Sequence, residues 1–257
     1  MENKEKKFYI TTPIYYVNDV PHIGHAYTTV ICDTIANFNK WLGNEVNFLT
    51  GTDEHGQKVE KSALKANMDP QTFTDNVSTS FKKLASKLEI NNTDFIRTTE
   101  DRHIKSVKHL WNILVNKGDI YIDKYSGWYS IRDEAFYSND EIIEDKNGKK
   151  LAPNGSEVEW LEEPSYFFKL SSWQDKLLKF YEKNPDFISP KSRYNEVLSF
   201  VNGGLEDLSI SRTTFNWGIQ VPDNDDHVIY VWLDALTNYI SALDYPNKDS
   251  KNWKSFW

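Results

Sequence analysis

Tyr15-Tyr16-Val17-Asn18-Asp19-Val20-Pro21-His22-Ile23-Gly24-His25 lies between an extended run, Phe8 to Thr12, and a long amphipathic run that begins at Ala26. Two histidines flank one glycine at what reads as a strand-to-helix turn. In an α/β protein such a turn holds anions, because free backbone N–H groups and the positive end of the helix dipole meet there. Gly24 has no Cβ and lets a ligand approach the backbone. His22 and His25 add donors that titrate near neutrality. On these four letters alone, a histidine near a helix start is more often structural than functional.

The flanking sequence supplies a βαβ unit. Lys7 to Thr12 reads as a strand. Tyr27, Ile31, Ile35, Phe38 and Leu42 then share one helical face, and Gly43 suits the residue that ends the helix. Val46 to Leu49 forms a second strand, joined by a right-handed crossover, so both strand ends open on one crevice. That strand runs into Thr50-Gly51-Thr52-Asp53-Glu54-His55-Gly56. Asp53, at the carboxyl end of a parallel strand, is placed either to hold a ligand cation or to cap a helix over Gln57 to Asn67. A metal site from Asp53, Glu54 and His55 ranks below both, because adjacent residues on a turn diverge and no second ligand cluster answers them.

Pro70 opens a helix with Phe73, Val77, Phe81, Leu84 and Leu88 on one face. Asp94 to Thr98 is a short strand. Ile104, Val107, Trp111 and Leu114 mark the next helix, which Gly118 ends, with His103 and His109 expected at the surface. From Asp119 the texture changes to short β-pieces dense in aromatics: Trp128, Tyr129, Phe136, Tyr137, Trp160, Tyr166, Phe167 and Phe168. Asn147-Gly148 and Asn154-Gly155 are hairpin signals. Two helices follow, one around Trp173 to Tyr181 and one around Tyr194 to Val201. Val228 to Leu233 is expected to be a buried strand of the parallel sheet, with Asp234 opening the helix after it. The fold class is therefore α/β, a doubly wound parallel sheet interrupted by a small α+β insertion. The divisions are 1–118 (first half of the main domain), 119–222 (insertion) and 223–257 (start of the second half).

Composition narrows the function classes. The 257 residues carry a net charge of −8, which argues against a surface that coats nucleic acid and leaves room for a local basic patch. Hydrophobic residues make up 39% and aromatics 14%, enough for a real core. The one cysteine, Cys32, permits neither an internal disulfide nor a cysteine-built zinc site. No apolar run reaches membrane-spanning length, and Met1 to Lys7 has no signal-peptide core, so a cytoplasmic setting with no membrane partner is expected.

Longer motifs then carry a resemblance. Pro-x-Tyr-x-Asn followed by Pro-His-Ile-Gly-His-Ala resembles the HIGH motif of class I aminoacyl-tRNA synthetases. The Gly51 to Gly56 run, Tyr125 to Tyr129, Leu208-Ser209-Ile210-Ser211-Arg212 and Val231-Trp232-Leu233-Asp234-Ala235-Leu236-Thr237-Asn238-Tyr239 occur in the order seen in the methionyl-tRNA synthetase family. The resemblance covers essentially the whole chain. It implies a Rossmann-like, HUP-type sheet with a connective-peptide insertion. The 119–222 stretch is too short for the added editing domain of relatives that activate leucine, isoleucine or valine.

The resemblance further implies ATP-dependent activation of L-methionine and transfer to tRNA(Met), by a ligase that uses ATP with Mg2+. His22 and His25 would be the catalytic pair. Asn18, His22, Gly24 and His25 would hold ATP. Ile14, Tyr16, Asp53, Trp232, Ala235, Leu236 and Tyr239 would form the amino-acid pocket, an apolar and polarisable cup for a thioether with Asp53 as counter-charge to the ammonium. Many family members bind zinc in the insertion through Cys-x-x-Cys pairs. Here Ser130 and Asp133 stand at the first pair, so no zinc is expected, and aromatic packing is expected to hold the module. The family's Lys-Met-Ser-Lys-Ser motif, its adenine-holding glycine strand and its helical anticodon domain lie outside these 257 residues. The chain alone is therefore expected to bind methionine weakly and make little adenylate, with tRNA(Met) met mainly through parts not present. Two other readings stay open: another HxGH nucleotidyltransferase, such as a cytidylyltransferase-like enzyme, and a non-catalytic module that binds RNA or a partner.

Overall fold

Strand β1 (Lys7–Thr11) lies parallel to β3 (Glu45–Asp53) in the computed structural model, which describes residues 6–257 except 134, 138 and 147. Pro13 offers no amide hydrogen to the ladder, so pairing breaks there. It resumes as β2 (Tyr15–Tyr16), which sets Tyr15 against Thr52 and Tyr16 against Asp53. On the other edge of β3, β4 (Asp94–Arg97) pairs in parallel from Leu49↔Asp94 to Thr52↔Arg97. The parallel sheet therefore delivers Tyr16 and Asp53 side by side at its carboxyl edge.

Helix α1 (Ile23–Trp41) makes the crossover from β2 to β3, and Gly43, at φ +82°, ends it as expected. The face it buries differs from the sequence expectation. Thr29, Cys32 and Ala36 are buried, the latter two packed with Phe48. Tyr27 is 69% exposed and Phe38 56%, and Ile31, Ile35 and Leu42 are exposed too. At about 100° per residue the two sets point in directions roughly 130° apart. Small side chains let the helix approach the sheet closely, and the bulky apolar stripe faces outward.

Three more helices complete the first part: α2 (Gln57–Lys65), α3 (Pro70–Lys87) and α4 (Asp101–Asn116). Asp69 caps α3 by accepting from the Thr72 N–H at 2.9 Å. Gly56 stands at the start of α2, so Asp53 does not cap that helix. His109 is exposed, whereas His103, expected at the surface, is fully buried.

The insertion is built on a long antiparallel pair, β5 (Ile120–Ser130) with β9 (Glu159–Phe168), flanked by β6 (Ala135–Tyr137) and β10 (Leu208–Ser209). A small hairpin, β7 (Ile143–Glu144) with β8 (Lys150–Leu151), and two helices, α5 (Gln174–Lys183) and α6 (Lys191–Asn202), complete it. Gly155, at φ +81°, makes the turn that Asn154-Gly155 signalled, and Asn147 lies outside the described residues. Trp128 meets Trp160 edge-on at 5.3 Å, and Tyr129 meets Phe136 at 4.7 Å. A polar knot adds to this aromatic packing. Ser130 Oγ and Tyr137 OH both donate to Asp133 Oδ2, at 2.8 and 3.0 Å. Hydroxyls turned toward a single carboxylate do not form a zinc ligand set. Among the described residues no group of three histidine, cysteine or acidic side chains could hold a metal.

A third sheet corrects the expectation for Val228 to Leu233. Strand β13 (Asn224–Ile229) pairs antiparallel with β11 (Ser211–Arg212) and β12 (Gln220–Val221), outside the parallel sheet. The chain turns helical at Val231 rather than at Asp234: α7 (Val231–Leu236), α8 (Asn238–Ser241) and α9 (Lys251–Phe256) follow. The apolar run is continuous because β13 ends in the core and α7 begins there. Ile229 joins Val107 and Trp111 of α4, Ile120 of β5, Ile210, Ile219 and Val221 in one buried cluster. Residues from α4, β5 and the small antiparallel sheet thus share a core. No described helix is long and apolar enough to cross a membrane.

Candidate active site

The two residues of β2 point to opposite faces, as strand geometry requires, and each serves a different half of the site. Tyr15 faces the turn. Its ring lies 4.8 Å from that of His25, and its hydroxyl bonds to Thr29 Oγ1 at 2.7 Å. Tyr16 is registered with Asp53 and lines a small cavity beside it.

At the turn, His22 caps α1. Its Nδ1 accepts the Gly24 N–H at 3.1 Å, while the Nδ1 of His25 accepts the His22 N–H, also at 3.1 Å. This reciprocal arrangement is a capping box built from two imidazoles. An Nδ1 that accepts leaves the hydrogen of a neutral imidazole on Nε2. Each ring therefore presents an Nε2–H donor away from the backbone. The rings stack at 3.8 Å. Burial, and then the neighbouring His22, lower the pKa of His25. A Cβ on Gly24 would stand 2.9 Å from His22 Cε1, so the glycine makes room for the cap itself. Asn18 is exposed in the bend before the turn, where the Asp19 carboxylate accepts the Val20 N–H at 2.7 Å.

Asp53 ends β3, 7% exposed. The next residue, Glu54, is fully buried. Arg97 Nε and Nη2 clamp its two carboxylate oxygens at 2.7 and 2.8 Å, and Thr52 and Thr99 hydroxyls add 2.6 Å bonds. The Glu54 carbonyl accepts from Trp217 Nε1. The turn after Asp53 is thus fixed from several sides.

Helix α7 separates two cavities. On one side Tyr16, Asp53, His55 and Gly56 face Phe215, Ile229, Tyr230, Val231 and Asp234 around a space of about 10 Å³, the size of one water. On the other side Trp232, Leu236 and Tyr239, four and three residues apart along α7 and α8, line an apolar cavity of about 620 Å³ with Leu110, Leu114, Trp173 and Leu177. Trp232 is half exposed there. Ile14 and Tyr239 each pack against the buried cluster of Leu49, Ile96 and Ala242. Ala235 is half-buried on α7. The structure therefore sets Tyr16 beside Asp53 and puts Ile14 and Tyr239 on one apolar cluster, while Trp232 and Leu236 lie across α7 from Asp53.

Sequence reasoning missed the group that ties α7 down. Asp234, 1% exposed, accepts from His55 at Nδ1 (2.7 Å) and from His103 at Nε2 (2.8 Å), and Ser241 Oγ lies 3.2 Å from His103 Nδ1. Burial opposes the charge on Asp234, yet the charge of His55 and the bonds from both histidines hold its pKa down at about 2. Burial likewise works against the His55 imidazolium, but Asp234 and then Asp53 and Glu54 outweigh it and raise its pKa. A carboxylate in the middle of the apolar run from Val228 to Leu243 was the available signal, since such a charge is buried only when paired.

A parallel sheet, a helix start capped by two histidines and an acidic strand end occur together here. The model for tRNA synthetases class I (M) matches residues 8–257, and the chain belongs to that family. It is 64% identical to the methionine–tRNA ligase of Rickettsia bellii over 97% of its own length and 48% of that protein. With the ligase of Mesorhizobium japonicum it shares 52% over 98% of the chain and 49% of the relative. It also superposes on Mycobacterium tuberculosis methionyl-tRNA synthetase in complex with methionyl-adenylate, at TM-score 0.94 and 48% identity, covering 98% of this chain and 50% of that one. The chain thus spans about half the length of these relatives.

Proposed function

We propose that the protein activates L-methionine with ATP and transfers it to tRNA(Met), and that this chain supplies the amino-acid site and part of the ATP site. The methionine carboxylate attacks the α-phosphorus of ATP, and pyrophosphate leaves with its Mg2+. The methionyl group then passes to the terminal ribose of the tRNA. No protein nucleophile is needed, so the work is alignment and stabilisation of phosphate charge. His22 and His25 donate from Nε2 to phosphate oxygens, with Asn18 and Gly24 shaping the approach. Asp53 takes the ammonium beside Tyr16. Ile14, Trp232, Ala235, Leu236 and Tyr239 contribute the apolar surface for the thioether. The remainder of a chain of the relatives' length is proposed to complete the ATP site and to meet the tRNA. The 257 residues alone then make little adenylate. The setting is the cytoplasm, and zinc has no part.

The observation that carries this reading is the placement of β2, with Tyr15 against the histidine cap and Tyr16 against Asp53. Both the histidine turn and the acidic strand end thus adjoin β2 at the carboxyl edge of the parallel sheet, which supports the joining of an amino acid to a nucleotide phosphate there. ATP–pyrophosphate exchange by the full-length protein tests it. Exchange that depends on methionine and ignores leucine and cysteine is expected. Exchange driven by another amino acid, or none with any, would overturn it.

A further inference from the structure

The Asp234 carboxylate holds three separate parts of the chain at one point. His55 comes from the turn after Asp53, His103 from α4, and Asp234 itself from α7. An ionised carboxylate only accepts, so both histidines must donate to it: His55 from Nδ1 and His103 from Nε2. On the far side of His103, Ser241 Oγ lies 3.2 Å from Nδ1 and also 2.9 Å from the Thr237 carbonyl, with one hydrogen to share between the two, so α8 adjoins the same group.

These bonds bear on the amino-acid site because of what each element carries. The turn holds Asp53, and α7 holds Trp232, Ala235 and Leu236. The His55–Asp234 pair ties the turn that carries Asp53 to the helix that carries Trp232, Ala235 and Leu236. We propose that Asp234 is a positioning residue that fixes α7 against this turn, and that His103, which lines neither cavity, acts on methionine binding through it. The inference rests on the proposed methionine activation. A misplacement of either element weakens capture of an amino acid that must touch both. The histidine cap at residues 22–25 stands apart from these bonds and keeps its grip on the nucleotide.

The test uses His103 in the full-length protein, read as separate KM values for methionine and ATP in pyrophosphate exchange. His103→Gln keeps an amide donor near the Nε2 position, and His103→Leu removes it. His103→Leu is expected to raise the methionine KM about tenfold or more while the ATP KM stays within about twofold, and His103→Gln to restore most of the methionine KM. Loss of general integrity would instead lower the active fraction and leave both KM values in place. Asp234→Asn is the second variant, because one histidine then faces an amide donor, and the same split is expected. Wild-type KM for methionine in both His103→Leu and Asp234→Asn, or a parallel rise for both substrates, would overturn the inference. Wild-type protein without methionine-dependent exchange would sink the functional reading itself, and the control makes that case distinguishable.

Discussion

The imidazole of His22 stacks on that of His25 with 3.8 Å between ring centroids, and each Nδ1 accepts a backbone N–H of the same turn. The two side chains proposed to donate from Nε2 to phosphate are therefore also the cap of α1. If they do so, binding and helix initiation share the same imidazole rings.

That dependence predicts a pH effect of defined sign. Burial, then His22, place the folded-state pKa of His25 below the ordinary 6.5. A histidine with a depressed pKa contributes stability that is present above its unfolded value and is lost as pH falls through the folded one. Protonation puts a hydrogen where His25 Nδ1 now accepts. The melting temperature should fall as pH drops below 6.5, and less so in His25→Asn, whose side-chain oxygen can accept without titrating. Melting curves of both proteins across that range check this, and identical pH dependence would contradict it.

Gly51 faces Ile96 of the neighbouring strand in direct register. A Cβ at Gly51 would overlap the Ile96 carbonyl oxygen and stand 2.7 Å from its Cγ2. Gly51→Ala must push β4 away from β3, and overpacking of this kind costs about 1–3 kcal/mol. Chemical denaturation should show that loss. An unchanged midpoint would mean that the two strands are further apart.

Glu54 is fully buried, and Arg97 is its charge partner. Arg97→Met leaves a buried carboxylate with hydroxyl donors alone, a loss of about 3–5 kcal/mol by the usual cost of breaking such a pair. Glu54→Gln added to it should recover part of the loss, because the stranded charge is gone. A double variant no more stable than Arg97→Met would contradict that account.

Elements with local signals were legible in the sequence. The His22–His25 turn announces itself through its spacing, and Pro70, Gly43 and Gly118 mark helix ends by their own backbone chemistry. The α1 stripe shows where such reading stops. Tyr27, Ile31, Ile35 and Phe38 have helical periodicity, but periodicity does not say which face meets the sheet. Thr29, Cys32 and Ala36 win because they are small enough for close approach. Val228 to Leu233 misleads for a related reason: an unbroken apolar run looks alike as strand and as helix start. His103 and Asp234 were out of reach because they are 131 residues apart and meet only in the folded chain. At the site, Tyr16 and Asp53 fall together through strand register. Trp232 and Leu236 sit across α7 because the chain turns helical before them.

Asp53, beside Tyr16, is proposed as the ammonium site of a methionine pocket. Calorimetric titration of the full-length protein with methionine, wild type against Asp53→Ala, tests it most directly, with leucine as the control. Methionine-selective binding by the wild type is expected, and none measurable in the variant, whose apolar cup then meets an uncompensated charge. Equal methionine affinity in the two proteins would contradict it.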